Sequence, residues 1–233
     1  MTLDIEIVED PARACSVMMV GAAAGGGDIV LAGGSTPKGA YEKLAAVVRD
    51  VGIDLTATTF WFGDERCVPP DDERSNFLMV KQTLLDPLGD QNQPDVRRIP
   101  GELGPAMAAD AYERELRVAG PPQFDMLLLG IGPDGHTASL FPDQPSLSER
   151  SRSVVGVEHA GLEPFVPRVT FTLPALGSAR QVVFLISGAS KADAVAAAFG
   201  PDAKPNPHVP SSMLVPLAKE ITVLLDEAAA EKL

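Results

Sequence analysis

Short apolar runs alternate with amphipathic stretches along most of the chain. The runs at 28–32, 58–62, 124–129, 154–157, 169–173, 182–186 and 221–225 are too short for buried helices and predict buried strands. Between them the apolar positions fall on a helical period. A first helix starts with Asp10 as N-cap and Pro11 at its first position, and places Ala14, Cys15, Met18 and Ala22 on one face. A second has Thr36 as N-cap and Pro37 next, with Ala40, Tyr41, Leu44, Ala45 and Val48 on its apolar stripe. Ser75 caps a helix over 75–85, and further helices are expected at 105–118, 190–199 and, briefly, 137–141. The proline-rich stretch 201–216 predicts an ordered surface loop. Strands alternating with helices give an α/β fold with a largely parallel sheet. No shift in composition marks a boundary, so residues 1–233 are expected to form a single domain, with room for a small subdomain from the middle of the chain.

Composition narrows the function more than the fold. A chain of 233 residues, 45% hydrophobic and 22% charged, can bury about 70% of its extended-chain surface. No apolar run approaches the ~18 residues of a membrane span. The acidic N-terminus lacks the cationic and apolar regions of a signal peptide. Cys15 and Cys67 form no metal or disulfide spacing, so a cytoplasmic location is expected, and with it a monomer, weak association being left open. The net charge of −13 argues against binding nucleic acid or anionic membranes. An anionic ligand would therefore need a few local cations and backbone N–H groups.

Such groups are present. In LAGGSTPKGAYEKL (31–44) a glycine-rich turn joins a strand to a helix, so Gly33, Gly34, Ser35 and Thr36 can cradle an anion at the helix N-terminus. The spacing is not that of a Walker A loop. FWFGDERCVPPDDERSN (60–76) puts Asp64, Glu65 and Arg66 just after a strand, where α/β sheets gather their ligands. Asp64 and Arg66 are site candidates, while Asp71, Asp72 and Glu73 read as a solvated loop. Cys67 has no base nearby in sequence and reads as a half-buried small side chain.

LLLGIGPDGHTASLFP (127–142) contains a literal G-x-G-x-x-G. Pro133 lacks an N–H, Asp134 puts a carboxylate where a pyrophosphate would sit, and Pro142 leaves room for little more than a turn of helix, so the dinucleotide match is accidental. The turn instead presents Asp134 and His136. An imidazole beside a carboxylate can take a proton from water and return it to a leaving group. Capping of the following turn is the alternative use of this histidine. Arg168 and Lys191 also follow or begin elements at strand ends and can clamp a phosphate. Asp134 and His136 could supply two metal ligands, but no third stands at a characteristic spacing, so no metal is expected.

GGSTP (33–37), DERCVPPDDERSN (64–76), GIGPDGHTASLFP (130–142), RVTFTLPAL (168–176) and SGASKADAV (187–195) resemble the 6-phosphogluconolactonases, in order along the chain. GGSTP is shared with the glucosamine-6-phosphate deaminases. The resemblance implies a Rossmann-like fold of the glucosamine-6-phosphate deaminase/ribose-5-phosphate isomerase type. It implies hydrolysis of 6-phospho-D-glucono-1,5-lactone, in the second step of the pentose phosphate pathway, without metal or nucleotide cofactor. His136 matches the family's catalytic histidine and Arg66 its active-site arginine; the 33–36 turn, Arg168 and Lys191 match its phosphate-binding elements. Either Asp64 or Asp134 would orient His136 or the water. Two other readings stay open: an aldose–ketose isomerase/deaminase acting on an amino-sugar phosphate, and a non-catalytic sugar-phosphate-binding protein.

Overall fold

A computed structural model describes residues 2–120 and 123–233. In chain order its elements are β1 (Thr2–Ile7), α1 (Pro11–Ala23), β2 (Asp28–Leu31), α2 (Ser35–Val51), β3 (Thr59–Phe62), β4 (Asp64–Arg66), α3 (Asn76–Val80) and α4 (Asp86–Leu88). There follow β5 (Asp95–Arg97), α5 (Pro105–Ala119), β6 (Met126–Leu129), β7 (Val154–Val157), β8 (Arg168–Phe171), α6 (Leu173–Leu176), β9 (Gln181–Ile186), α7 (Ala192–Phe199) and β10 (Glu220–Leu225). Seven strands form one sheet in the order β1-β10-β9-β6-β2-β3-β5, and every pair in it is parallel. Helices cover both faces, so the inner strands are mostly apolar, and every residue of β6 is buried. The outer strand β1 has no buried residue, only Leu3 and Ile5 being half-buried, and carries Asp4 and Glu6, charges that discourage edge pairing.

From β2 the chain works outward through β3 to β5; from β6 it works the other way, through β9 and β10. The reversal opens a crevice at the carboxyl ends of β2 and β6. The two tyrosines of the chain finish the strands there. The buried Tyr41 hydroxyl accepts from Ala32 N (2.9 Å) and donates to Ala32 O (2.8 Å) at the end of β2. Tyr112 accepts from Phe62 N at 2.9 Å at the end of β3. Each phenol satisfies backbone groups that the ladder no longer pairs. Beyond β3, Gly63 turns the chain into a second, antiparallel sheet of order β4-β8-β7, whose start is tied to the main sheet by Gly63 N to Leu31 O (3.1 Å) and Phe171 N to Gly63 O (2.8 Å).

Several expectations are corrected. The buried residues of α1 are Pro11, Cys15, Ser16, Met19 and Ala23; of the expected face Cys15 is buried, while Ala14, Met18 and Ala22 lie half-buried against the edge of the core. α2 is capped by Gly34 rather than Thr36 and begins at Ser35, since a positive-φ glycine can turn the chain into the helix without a side-chain cap. No helix forms at 137–141; an isolated bridge joins Thr137 to Leu140, and Ala138 has φ +48, which no helix admits. β8 ends at Phe171, and Leu173 begins α6. The 201–216 stretch is not all surface: Pro210, Ser211, Ser212 and Leu214 are buried in a short 3₁₀ turn. Strands β1, β4 and β5 were not expected at all, being short or rich in charge.

Candidate active site

The crevice between β2 and β6 is a cleft of about 190 Å³ lined by Gly33, Gly34, Asp64, Arg66, Asn76, His136, Arg168 and Lys191, among others. That is below the ~300–1,000 Å³ of pockets for drug-sized ligands, and suits a monosaccharide better than a dinucleotide.

Its floor on one side is the start of α2. Gly34 has φ +114, the left-handed region that glycine enters without strain. A Cβ on Gly33 would overlap the Asn76 side-chain amide, so the backbone must be bare for the turn to close on α3. No side chain caps α2, which leaves the N–H groups of Ser35 and Thr36 without intrahelical partners at the positive end of a 17-residue helix. Ser35 is exposed and Thr36 half-buried beside the cleft.

The opposite wall is the loop after β6. Gly135 N donates to Gly132 O (2.9 Å), Gly132 N donates to His136 O (2.8 Å), and Thr137 Oγ1 donates to Gly130 O (2.9 Å). A Cβ on Gly132 would overlap the His136 ring and the Asp134 carboxylate, and Gly135 has φ +83. The glycines of the G-x-G-x-x-G are thus spent on folding the turn around its own histidine. His136 Nδ1 lies 2.6 Å from Asp134 Oδ1. Burial raises the Asp134 carboxyl, but the hydrogen bond and charge of His136 outweigh it, so the acid is held below its ordinary value. An ionised carboxylate only accepts, so Nδ1 carries the proton and neutral His136 keeps its lone pair on Nε2. Phe141 packs against the imidazole with ring centres 4.8 Å apart.

The third wall is β4 with α3 and β8. Asp64 is buried and accepts from Ser139 Oγ at 2.6 Å and Asn76 Nδ2 at 3.2 Å. Its hydrogen bonds run to the histidine loop and to α3, not to His136. Glu65 is also buried, and accepts from Asn76 N (2.7 Å), Phe77 N (2.8 Å) and Ser75 Oγ (3.0 Å), bracketing β4 to the start of α3. Desolvation lifts its carboxyl above the ordinary value despite these donors.

Arg66 and Arg168 are direct cross-strand partners in β4 and β8. Arg66 Nη1 donates to Arg74 O at 2.6 Å, and its buried Nε has no partner. Arg168 is 4% exposed; its guanidinium donates to Val166 O (3.2 Å) and Pro164 O (2.8 Å), shaping the loop before β8. Burial and Arg66 lower its pKa, Asp64 and Glu65 oppose this, and an arginine stays charged throughout. Lys191 stands across the cleft; burial lowers its pKa and the Asp134 charge works against that. Two expected phosphate ligands therefore differ in kind: among the described residues Lys191 is bound by no carboxylate, whereas Arg168 is partly committed to backbone carbonyls.

Sequence reasoning missed Asn76, Ser139 and Phe141. Asn76 and Ser139 hold Asp64, and both stand inside segments singled out for other residues. Their polarity at buried positions is the only sequence signal, and it is invisible until the fold shows which positions are buried. Cys67 is half-buried with its thiol pushed up to about 11, chiefly by burial, which removes the thiolate a nucleophile needs. Among the described residues no helix is long and apolar enough to cross a membrane.

Residues 10–223 match the family model described as glucosamine-6-phosphate isomerases/6-phosphogluconolactonase. A 6-phosphogluconolactonase of Synechocystis is 40% identical over 216 residues, covering 90% of this chain and 85% of that protein. Among solved structures, 6-phosphogluconolactonase from Trypanosoma cruzi superposes with a TM-score of 0.81 at 30% identity, covering 100% of this chain and 97% of that one. A monomeric glucosamine-6-phosphate deaminase superposes at 0.84 over 100% of both chains but at 20% identity, a likeness of fold alone.

Proposed function

The chain belongs to the glucosamine-6-phosphate isomerase/6-phosphogluconolactonase family, and from this we propose that it hydrolyses 6-phospho-D-glucono-1,5-lactone to 6-phospho-D-gluconate, with His136 as general base. The reaction is the second step of the oxidative pentose phosphate pathway. The observation that carries the reading is the 2.6 Å His136–Asp134 pair, set in a cleft that also holds three cations and an uncapped helix start.

The phosphate is held at the Gly33–Thr36 turn by N–H groups, with Lys191 and Arg168 adding positive charge. This anchors the sugar with its lactone carbon near His136. Nε2 takes a proton from water as the water oxygen bonds to C1. The Arg66 guanidinium, on the cleft wall, is a donor for the oxyanion that forms on the carbonyl oxygen. The tetrahedral intermediate collapses by breaking the bond from C1 to the ring oxygen, and that oxygen takes the proton from His136. Asp134 stabilises the imidazolium between the two transfers. No metal is required, because the water is activated by the base and the charge is met by arginine.

Lactone identity, not only the fold, separates this reading from a deaminase. A coupled assay with fresh lactone and purified protein tests it: rapid formation of 6-phosphogluconate above the spontaneous rate supports it, while release of ammonia from glucosamine-6-phosphate without lactone turnover would replace it.

A further inference from the structure

None of residues 206–211 lines the cleft, yet the segment grips the loop that carries His136. Its own turn is closed by Val209 N to Asn206 O (2.8 Å), by Asn206 N to Ser212 Oγ (2.9 Å) and by Ser212 Oγ to Val209 O (2.7 Å). From this rigid turn, Ser211 N donates to Gly135 O at 3.0 Å. The Val209 side chain packs flat on Gly135, where an added Cβ would lie 2.9 Å from Val209 Cγ1. Gly135 is the residue between Asp134 and His136. At the far end of the same loop Asp143 N donates to Pro207 O at 3.1 Å, and His208 Nδ1 meets Asp143 Oδ2 at 2.7 Å. Both grips fall on residues with left-handed backbone, Gly135 at φ +83 and Asp143 at φ +59. The loop between them also contains Ala138 at φ +48. For the non-glycine residues Ala138 and Asp143 such conformations are uncommon and persist where the surroundings impose them.

We propose that the 206–211 turn is the positioning element of the catalytic loop, with Val209 on Gly135 and the His208–Asp143 pair as its two holds. It sets the register of the Asp134–His136 pair and touches no substrate. The proposal rests on His136 being the base, and its consequence is a kcat effect from residues outside the cleft.

The test uses the full-length protein. Val209→Ala removes the packing behind Gly135 and is expected to lower kcat about tenfold with KM within about twofold, as small misplacements of catalytic groups do. Its free enzyme should also show a displaced NMR resonance for the hydrogen-bonded His136 Nδ1 proton. An unchanged kcat or an unmoved resonance in folded Val209→Ala overturns the proposal. Should that variant not fold, the exposed pair carries the test. Asp143→Gly tolerates the positive φ and removes the carboxylate, and is expected to lose about threefold in kcat. Asp143→Asn keeps an acceptor for His208 and restores it. Equal kcat in Asp143→Gly and wild type overturns the proposal. If wild type shows no lactone hydrolysis, the proposed function falls, while the resonance still decides whether the turn positions the pair.

Discussion

Asp64 and Ser139 stand 75 residues apart in the chain and share a 2.6 Å hydrogen bond in the core of the site. Through it β4 holds the loop that carries His136, while Asn76 Nδ2, donating to Asp64 O at 3.0 Å, ties the same strand to α3. Asp64 is therefore a bracket between two walls of the cleft, and Asp134 is the carboxylate on the histidine.

Removing the bracket should damage the site more than the fold. Asp64→Ala leaves Ser139 Oγ buried without its acceptor, at a cost of about 1–3 kcal/mol, while Asn76 Nδ2 keeps the backbone oxygen of residue 64. Thermal unfolding should show that loss. Ser139→Ala, which also removes the donor, should cost less than Asp64→Ala; the reverse order would contradict the bracket.

Asp134→Asn keeps the shape of the turn but can present an NH₂ to Nδ1, favouring the tautomer with the proton on Nε2. The base is then blocked, and kcat should fall about 10²–10⁴-fold with little change in KM. Asp64→Asn should lose much less. Steady-state kinetics of the two variants, side by side, give the ranking.

The proposed role of Lys191 predicts a pH dependence of phosphate binding. Its folded pKa lies below the ordinary 10.5 because burial disfavours the ammonium, so the cation is lost at lower pH than for an exposed lysine. Affinity for 6-phosphogluconate, read by calorimetry to avoid lactone breakdown, should weaken as pH rises through that lowered value. Lys191→Met should bind about tenfold or more weakly at neutral pH, the effect of one charge-assisted hydrogen bond, and should show no alkaline limb.

Glu65 predicts an acid-side signature in stability. Burial lifts its native pKa above the ordinary 4.5, so the native protein holds this proton more tightly than the unfolded chain does. Its contribution is then greatest below pH 4.5, declines as pH rises through the raised native value, and is flat beyond it. Glu65→Gln abolishes that decline, so the melting temperature of wild type should fall relative to the variant as pH rises across this window.

Much of this was legible in the residues. The inner strands announce themselves because a sheet covered on both faces demands unbroken apolar runs, as in Met126–Leu129. The site motifs sit where a strand meets glycine, and GIGPDGH betrayed its purpose through Pro133 and Asp134. Other features depend on partners distant in sequence. Nothing local marks β4, since DER looks like a solvated loop until Thr170, Val169 and Arg168 pair with it. The short helix expected after His136 failed because the pull of Asp64 on Ser139 outweighs local propensity. Val209 and His208 carried no signal at all, because their role is defined only by Gly135 and Asp143.

The central claim is that His136 Nε2 is the base, and the most direct measurement compares wild type with His136→Ala in the coupled assay on fresh lactone, with spontaneous hydrolysis subtracted. The expected result is a loss of about 10²-fold or more in kcat with 6-phosphogluconate still bound. A variant that retains kcat to within about tenfold of wild type would contradict the claim.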